Sequence, residues 1–135
     1  MNHKLFPLVI TDNFDAIRSF YVDTLGCALT VETDNYLQVR FGASEDAPEL
    51  AFMPPTQLPG MPDHGVFSGA GVIVSVPTED ADTHHRRMKK NGAPILSGPS
   101  DKPWGWRSYA MRDPAGVILD FFHTIAKPDS VDATG

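Results

Sequence analysis

Residues 107–122 read RSYAMRDPAGVILDFF, two runs rich in apolar residues hinged on Asp113-Pro114-Ala115-Gly116. Asp at the first corner of a turn, Pro at the second with its φ already fixed, and Gly at the fourth make the composition of a type I hairpin turn. Residues 107–112 and 117–123 are therefore expected to form an antiparallel pair near the end of the chain. Alternation sends Val117, Leu119 and Phe121 to one face of the second strand and Ile118, Asp120 and Phe122 to the other. Both faces are mostly apolar, so the strand is expected to be covered on both sides. A carboxylate there is costly unless it meets a cation, a donor or a ligand. Asp120 asks for a partner.

Outward from this hairpin, one order of elements occurs twice. Residues 4–11 read as a strand with Pro7 marking an edge or an irregularity. Asp12 or Asn13 can cap a helix whose apolar stripe is Phe14, Ile17, Phe20 or Tyr21, and Leu25, and Gly26 ends it. Strands follow at 28–32, at 36–41 after an Asp34-Asn35 turn, and at 49–53. Residues 54–69, dense in proline and glycine, read as a connection. A strand at 70–76, a helix capped by Thr78 and stopped by Gly92, a short strand at 93–96, a loop at 98–106 and the closing hairpin repeat the pattern.

Each half is thus βαβββ, and the fold class is α+β. We expect the 135 residues to form a single domain, 1–135, with module one at 4–54, the connection at 54–69, module two at 70–124 and a tail at 125–135. The two helix ends set the register of the duplication, Leu25-Gly26-Cys27-Ala28 against Asn91-Gly92-Ala93-Pro94. Two copies this long suggest paired modules building one site between them.

A formal net charge of −6 argues against a nucleic-acid or anionic-membrane partner, both of which favour excess Lys and Arg. The run from His84 to Lys90 is the basic exception, and it reads as the solvated face of a helix. Cys27 stands alone and cannot make an internal disulfide, which suits a reducing compartment. No long apolar run appears, so neither a signal peptide nor a membrane span is expected, and a cytoplasmic location is the default.

With two βαβββ modules, FYVDTLG at residues 20–26 and PWGWRSYAMRDPAGVILDF at residues 103–121, the sequence resembles the vicinal oxygen chelate superfamily. That superfamily includes glyoxalases, extradiol dioxygenases, and bleomycin- and fosfomycin-resistance proteins. The resemblance covers residues 4–124, and its most specific part is Pro103-Trp104-Gly105-x-Arg107 together with Asp113-Pro114-x-Gly116. It implies modules that curl their sheets into cups and enclose a pocket, within one chain or across a homodimer. In metal-dependent members, His or Glu ligands on the first and last strands of each module face inward. The matching positions here are Phe6, Glu49, Gly71 and Asp120. Glu49 and Asp120 are oxygen donors, whereas Phe6 and Gly71 cannot ligate through their side chains. None of His3, His64, His84, His85 and His123 falls on one of these positions, and surface or structural roles are expected for all five.

Three functions compete on these residues. The first is a metal-free protein of the bleomycin-resistance kind that sequesters an apolar or cationic small molecule. Its ligand-binding residues would be Phe6, Glu49, Ala51, Ile73, Trp104, Trp106, Asp120 and Phe122, and no cofactor is expected. The second is an enzyme. It would be either a divalent-metal-dependent lyase, isomerase or dioxygenase with an atypical site, or a metal-free catalyst using Glu49 or Asp120 as general base. The third is an accessory module without a ligand. Independently, Arg40 and Arg107, on the partner strands of the two hairpins, offer structural ion pairs for Glu49 and Asp120.

Overall fold

A computed structural model describes residues 3–55, 60 and 65–126. His64, part of the 54–69 connection and the tail beyond 126 lie outside the described residues. The chain forms two compact units, one of Met1–Ala70 with Pro114–Gly116, the other of Gly71–Asp113 with Val117–Gly135. The fold class is α+β, with a four-stranded mixed sheet in each unit.

Unit one runs β1 (Leu8–Ile10), α1 (Phe14–Arg18) continuing as a π-helix (Ser19–Thr24), β2 (Ala28–Thr33), β3 (Tyr36–Arg40) and β4 (Glu49–Met53). Its strand order is β1-β4-β3-β2, with β1 parallel to β4 and the other pairs antiparallel. The strand expected at 4–11 is only three residues long, because Pro7 has no N–H to give to a ladder. Its carbonyl still accepts from Ala51 N at 3.0 Å. Val9, Leu37, Val39, Leu50 and Phe52 are buried on one face, together with Ile17, Phe20 and Tyr21. Gly26 ends the helix with φ +77, a conformation that side chains rarely adopt. Burial pushes the Cys27 thiol up to about 12, far from the range of a reactive thiolate.

Unit two runs β5 (Ile73–Pro77), α2 (Ala81–Lys90), β6 (Ile95–Lys102), β7 (Trp106–Arg112) and β8 (Ile118–Thr124), in the order β5-β8-β7-β6. The turn into β8 forms as expected: Asp113 N donates to Val117 O at 2.9 Å, and Asp113 Oδ1 accepts from Val117 N at 2.8 Å. Gly116 at φ +95 completes it.

Two expectations are corrected here. The helix cap is Asp80, not Thr78: the Asp80 carboxylate accepts from the backbone N of Asp82 and Thr83 at 2.9 and 3.2 Å. The strand expected at 93–96 instead runs to Lys102, through Gly98 and Pro99. Its register shifts between Ser97 and Ser100, and an edge strand tolerates glycine and proline at such an irregularity.

Val76, Tyr109, Met111, Leu119 and Phe121 are buried on the face that meets Ala81 and Met88 of α2. The opposite face carries Asp120, and it is half-exposed rather than covered on both sides.

Candidate functional site

In unit one, the two-residue period of β4 turns Leu50 and Phe52 toward the helix and Glu49 to the other side of the sheet. Glu49 is the hub of a polar network. Its Oε1 accepts from Thr30 Oγ1 at 2.9 Å and from Gln38 Nε2 at 2.8 Å, and its Oε2 pairs with Lys4 Nζ at 2.8 Å. Tyr36 donates its hydroxyl to Gln38 Oε1 at 2.7 Å. Burial pushes the Glu49 carboxyl up, but the hydrogen bonds from Lys4, Thr30 and Gln38 and the Lys4 charge outweigh it and hold the group below its usual range. Arg40 stands opposite Glu49 in the register yet does not pair with it. Its guanidinium donates instead to the carbonyls of Gly42 and Ala43. Ala51, on the same face of β4, is fully buried, and Phe6 precedes β1, partly exposed.

In unit two, Asp120 sits in register between Ser75 of β5 and Ala110 of β7. Its carboxylate has no hydrogen bond or ion pair among the described residues. Arg107 points to the other face, where it makes a two-pronged pair with Asp82 (2.8 and 2.9 Å) and reaches Asp101 at 2.9 Å. The ion-pair explanation for Asp120 is thereby overturned: Arg107 and Asp120 lie on opposite faces of adjacent strands.

Beside Asp120, Trp106 lies flat on Phe122, with ring centroids 3.7 Å apart and planes at 11°. Trp104 meets the edge of Trp106 at 6.1 Å and is 53% exposed, so it is Trp106 that lies against the sheet. Ile73 continues this face at the β5 edge, 62% exposed. Ser108 Oγ is buried beneath it with no partner among the described residues.

Sequence reasoning missed two groupings. Lys4, Thr30, Tyr36 and Gln38 join Glu49, and strand parity signalled only Tyr36 and Gln38, which alternate outward against Leu37 and Val39. His84, read as part of a solvated helix face, is turned onto the sheet instead. It stacks on Phe121 with centroids 4.4 Å apart, and its Nδ1 lies 2.5 Å from Tyr109 Oη. A cleft of ≈ 330 Å³ opens beside it, lined by Thr78, Glu79, Asp80, Thr83, His84 and Arg87. His123 takes a structural role, its Nδ1 accepting from Ala81 N at the start of α2 at 2.8 Å.

The sequence model of the Glyoxalase/Bleomycin resistance protein/Dioxygenase superfamily matches residues 2–121. The chain belongs to this superfamily. Solved structures of the superfamily share its fold. A glyoxalase/bleomycin resistance protein/dioxygenase from Nocardioides is 22% identical with a TM-score of 0.70, over 95% of this chain and 89% of that one. TnmS3, an antibiotic binding protein from Streptomyces sp. CB03234, is 23% identical with a TM-score of 0.69, over 92% and 97%. A glyoxalase/bleomycin resistance protein from the same Streptomyces is 24% identical with a TM-score of 0.65, over 87% and 97%. No curated protein matches the chain.

The glyoxalase-type chelating positions of this superfamily member do not fit a catalytic transition metal. Phe6 and Gly71 supply no side-chain donor, and both oxygens of Glu49 are already engaged by Thr30, Gln38 and Lys4. No group of three or more His, Cys, Asp or Glu side chains among the described residues is placed to hold an ion. No helix among them is long and apolar enough to cross a membrane.

Proposed function

We propose that the chain is a small-molecule binding protein of the bleomycin-resistance type, taking a cationic aromatic or apolar compound without a metal. One observation carries this reading: the unpartnered Asp120 carboxylate stands two residues from a flat Trp106–Phe122 stack on the same half-exposed face. An aromatic surface with one fixed charge beside it recognises a planar ring bearing a cation, the ring by stacking and the cation by the carboxylate. Two residues along a strand put the backbones of Asp120 and Phe122 about 7 Å apart, with both side chains on one face. A general base at Glu49 gains no support, since a base working near neutral pH needs a carboxyl pushed up and Glu49 is held down.

A thermal-shift screen of cationic aromatic compounds, run in chelator, tests the reading, because a ligand that binds only the folded form raises the melting point. Asp120→Asn should weaken a cationic hit by about tenfold or more while sparing its neutral isostere, and Trp106→Ala should weaken both. Stabilisation that requires an added metal, or hits indifferent to both substitutions, would sink it.

Homodimerisation and a cytoplasmic location belong to the same proposal. Partly or largely exposed Leu8 on edge strand β1 and Ile73 on edge strand β5 are apolar surface of the kind that pairing covers. The expected mass in solution is twice that of the chain, and a monomer at micromolar concentration would remove the dimer.

A further inference from the structure

Lys4 Nζ is held by three acceptors: Glu49 Oε2 at 2.8 Å, Glu45 O at 2.6 Å and Ala47 O. An ammonium has three N–H donors and no acceptor, so this set of one carboxylate and two carbonyls satisfies it completely. We propose that Glu49 and the carbonyls of Glu45 and Ala47 form a binding site for a primary alkylammonium. Lys4 fills that site in the free protein, and a ligand carrying such a group enters by displacing the N-terminal arm.

The cradle is built without help from Lys4. Register on β4 fixes Glu49, and Thr30 Oγ1 and Gln38 Nε2 hold its other oxygen. The carbonyls come from a loop with its own ties: Phe41 N to Pro48 O at 2.9 Å, Ala47 N to Ser44 O at 3.0 Å and Asp46 N to Ser44 Oγ at 3.1 Å. Arg40 steadies the same loop through Gly42 O at 2.9 Å. None of these ties involves Lys4, so the acceptors are gathered by the rest of the unit.

The arm, by contrast, is lightly held. Leu5 is 93% exposed, and Phe6, at 37% exposed, is only part-buried ahead of β1. Between the ammonium of Lys4 and the Pro7 carbonyl, no other hydrogen bond among the described residues ties it down. The Lys4 side chain is itself partly exposed, which leaves the cradle open to solvent once the arm swings aside.

The geometry also selects the ligand class. A planar guanidinium directs its donors in a fork and does not match acceptors gathered around one nitrogen, and a quaternary ammonium has no donors to give. A cation tethered in cis competes with ligand at an effective concentration set by its short linker. Apparent affinity is lowered by the fraction of time the arm is closed.

The test is chemical rescue with n-butylammonium, the lysine side chain without its backbone. In Lys4→Ala, butylammonium should bind saturably at millimolar concentration, about tenfold or more tighter than in wild type, shifting the backbone amide signals of Thr30, Gln38, Ala47 and Glu49. Adding Glu49→Gln should abolish that binding, and n-butanol and tetramethylammonium should produce none. Equal binding to wild type and Lys4→Ala, or binding that survives Glu49→Gln, overturns the proposal. In wild type, excess butylammonium should move the Leu5 and Phe6 amides as the arm is released, a readout that needs no folded variant, and its absence also overturns the proposal. No readout involves Asp120 or Trp106, so failure here and failure of the reading of unit two are told apart.

Discussion

Replacing Tyr21 with alanine should destabilise unit one by about 3–5 kcal/mol, the cost of removing a large ring from a site that cannot collapse. Tyr21 is fully buried, and its ring meets Phe20 at 5.0 Å, Phe41 at 6.0 Å and Phe52 at 5.2 Å. Those contacts tie the helix to β4 and to the residue following β3. The widened π-helical turn carries the ring inward, and the Tyr21 carbonyl closes the turn by accepting from Cys27 N at 2.8 Å. A loss of this size is a large part of the 5–15 kcal/mol that holds an ordinary domain folded. The urea midpoint of Tyr21→Ala is the measurement, with Tyr21→Phe, which keeps the ring contacts, as its control. A loss below about 1 kcal/mol in the alanine variant would show that the ring cluster does not hold the helix to the sheet.

The same segment shows how far the sequence could be read. FYVDTLG marked the end of the first helix because a glycine able to take φ +77 follows an apolar stripe, and that local rule holds whatever surrounds it. Asp113-Pro114-Ala115-Gly116 and the strand Glu49–Met53 were legible for the same reason, their conformations being set by the residues themselves. Strand β6 was not, because Gly98 and Pro99 are loop residues by preference and only their edge position lets a ladder run past them.

Side-chain partners were the least legible. Arg40 opposite Glu49 and Arg107 near Asp120 satisfied the rule that opposite charges pair across strands. The rule gives proximity of backbones, however, while strand parity and competing acceptors decide contacts. Arg107 found Asp82 on a helix that sequence order alone could not dock, and Arg40 found carbonyls of its own loop. Lys4 reached Glu49 from 45 positions away, with no local signal. The two acids read as equivalent therefore differ in kind, Glu49 being satisfied internally and Asp120 left with its charge available.

Acid should destabilise unit two through His84. Burial, and then the charge of Arg87, bring His84 down from 6.5 to about 4. At pH 7 both folded and unfolded states hold it neutral. Between 6.5 and 4 the unfolded chain takes up a proton that the folded chain refuses. Stability is thus fully present above pH 6.5, falls as pH is lowered through that window, and levels off below the folded value, a total loss of about 3 kcal/mol.

The structural reason lies in the ring's partners. His84 Nδ1 faces Tyr109 Oη at 2.5 Å, and burial pushes the tyrosine hydroxyl up so that it keeps its proton and donates. A protonated imidazole could turn that bond round and donate to the Tyr109 hydroxyl, but its charge would then sit part-buried beside Arg87 in the same cleft. His84→Phe keeps a ring on Phe121 and leaves the Tyr109 hydroxyl unpartnered, so it should be less stable than wild type at pH 7 by about 1–3 kcal/mol. Its urea midpoint should nevertheless change much less than that of wild type between pH 7 and 4.5. Parallel pH profiles for the two proteins, or an imidazole that titrates near 6.5 by NMR in the folded state, would show that His84 is not held neutral by its surroundings.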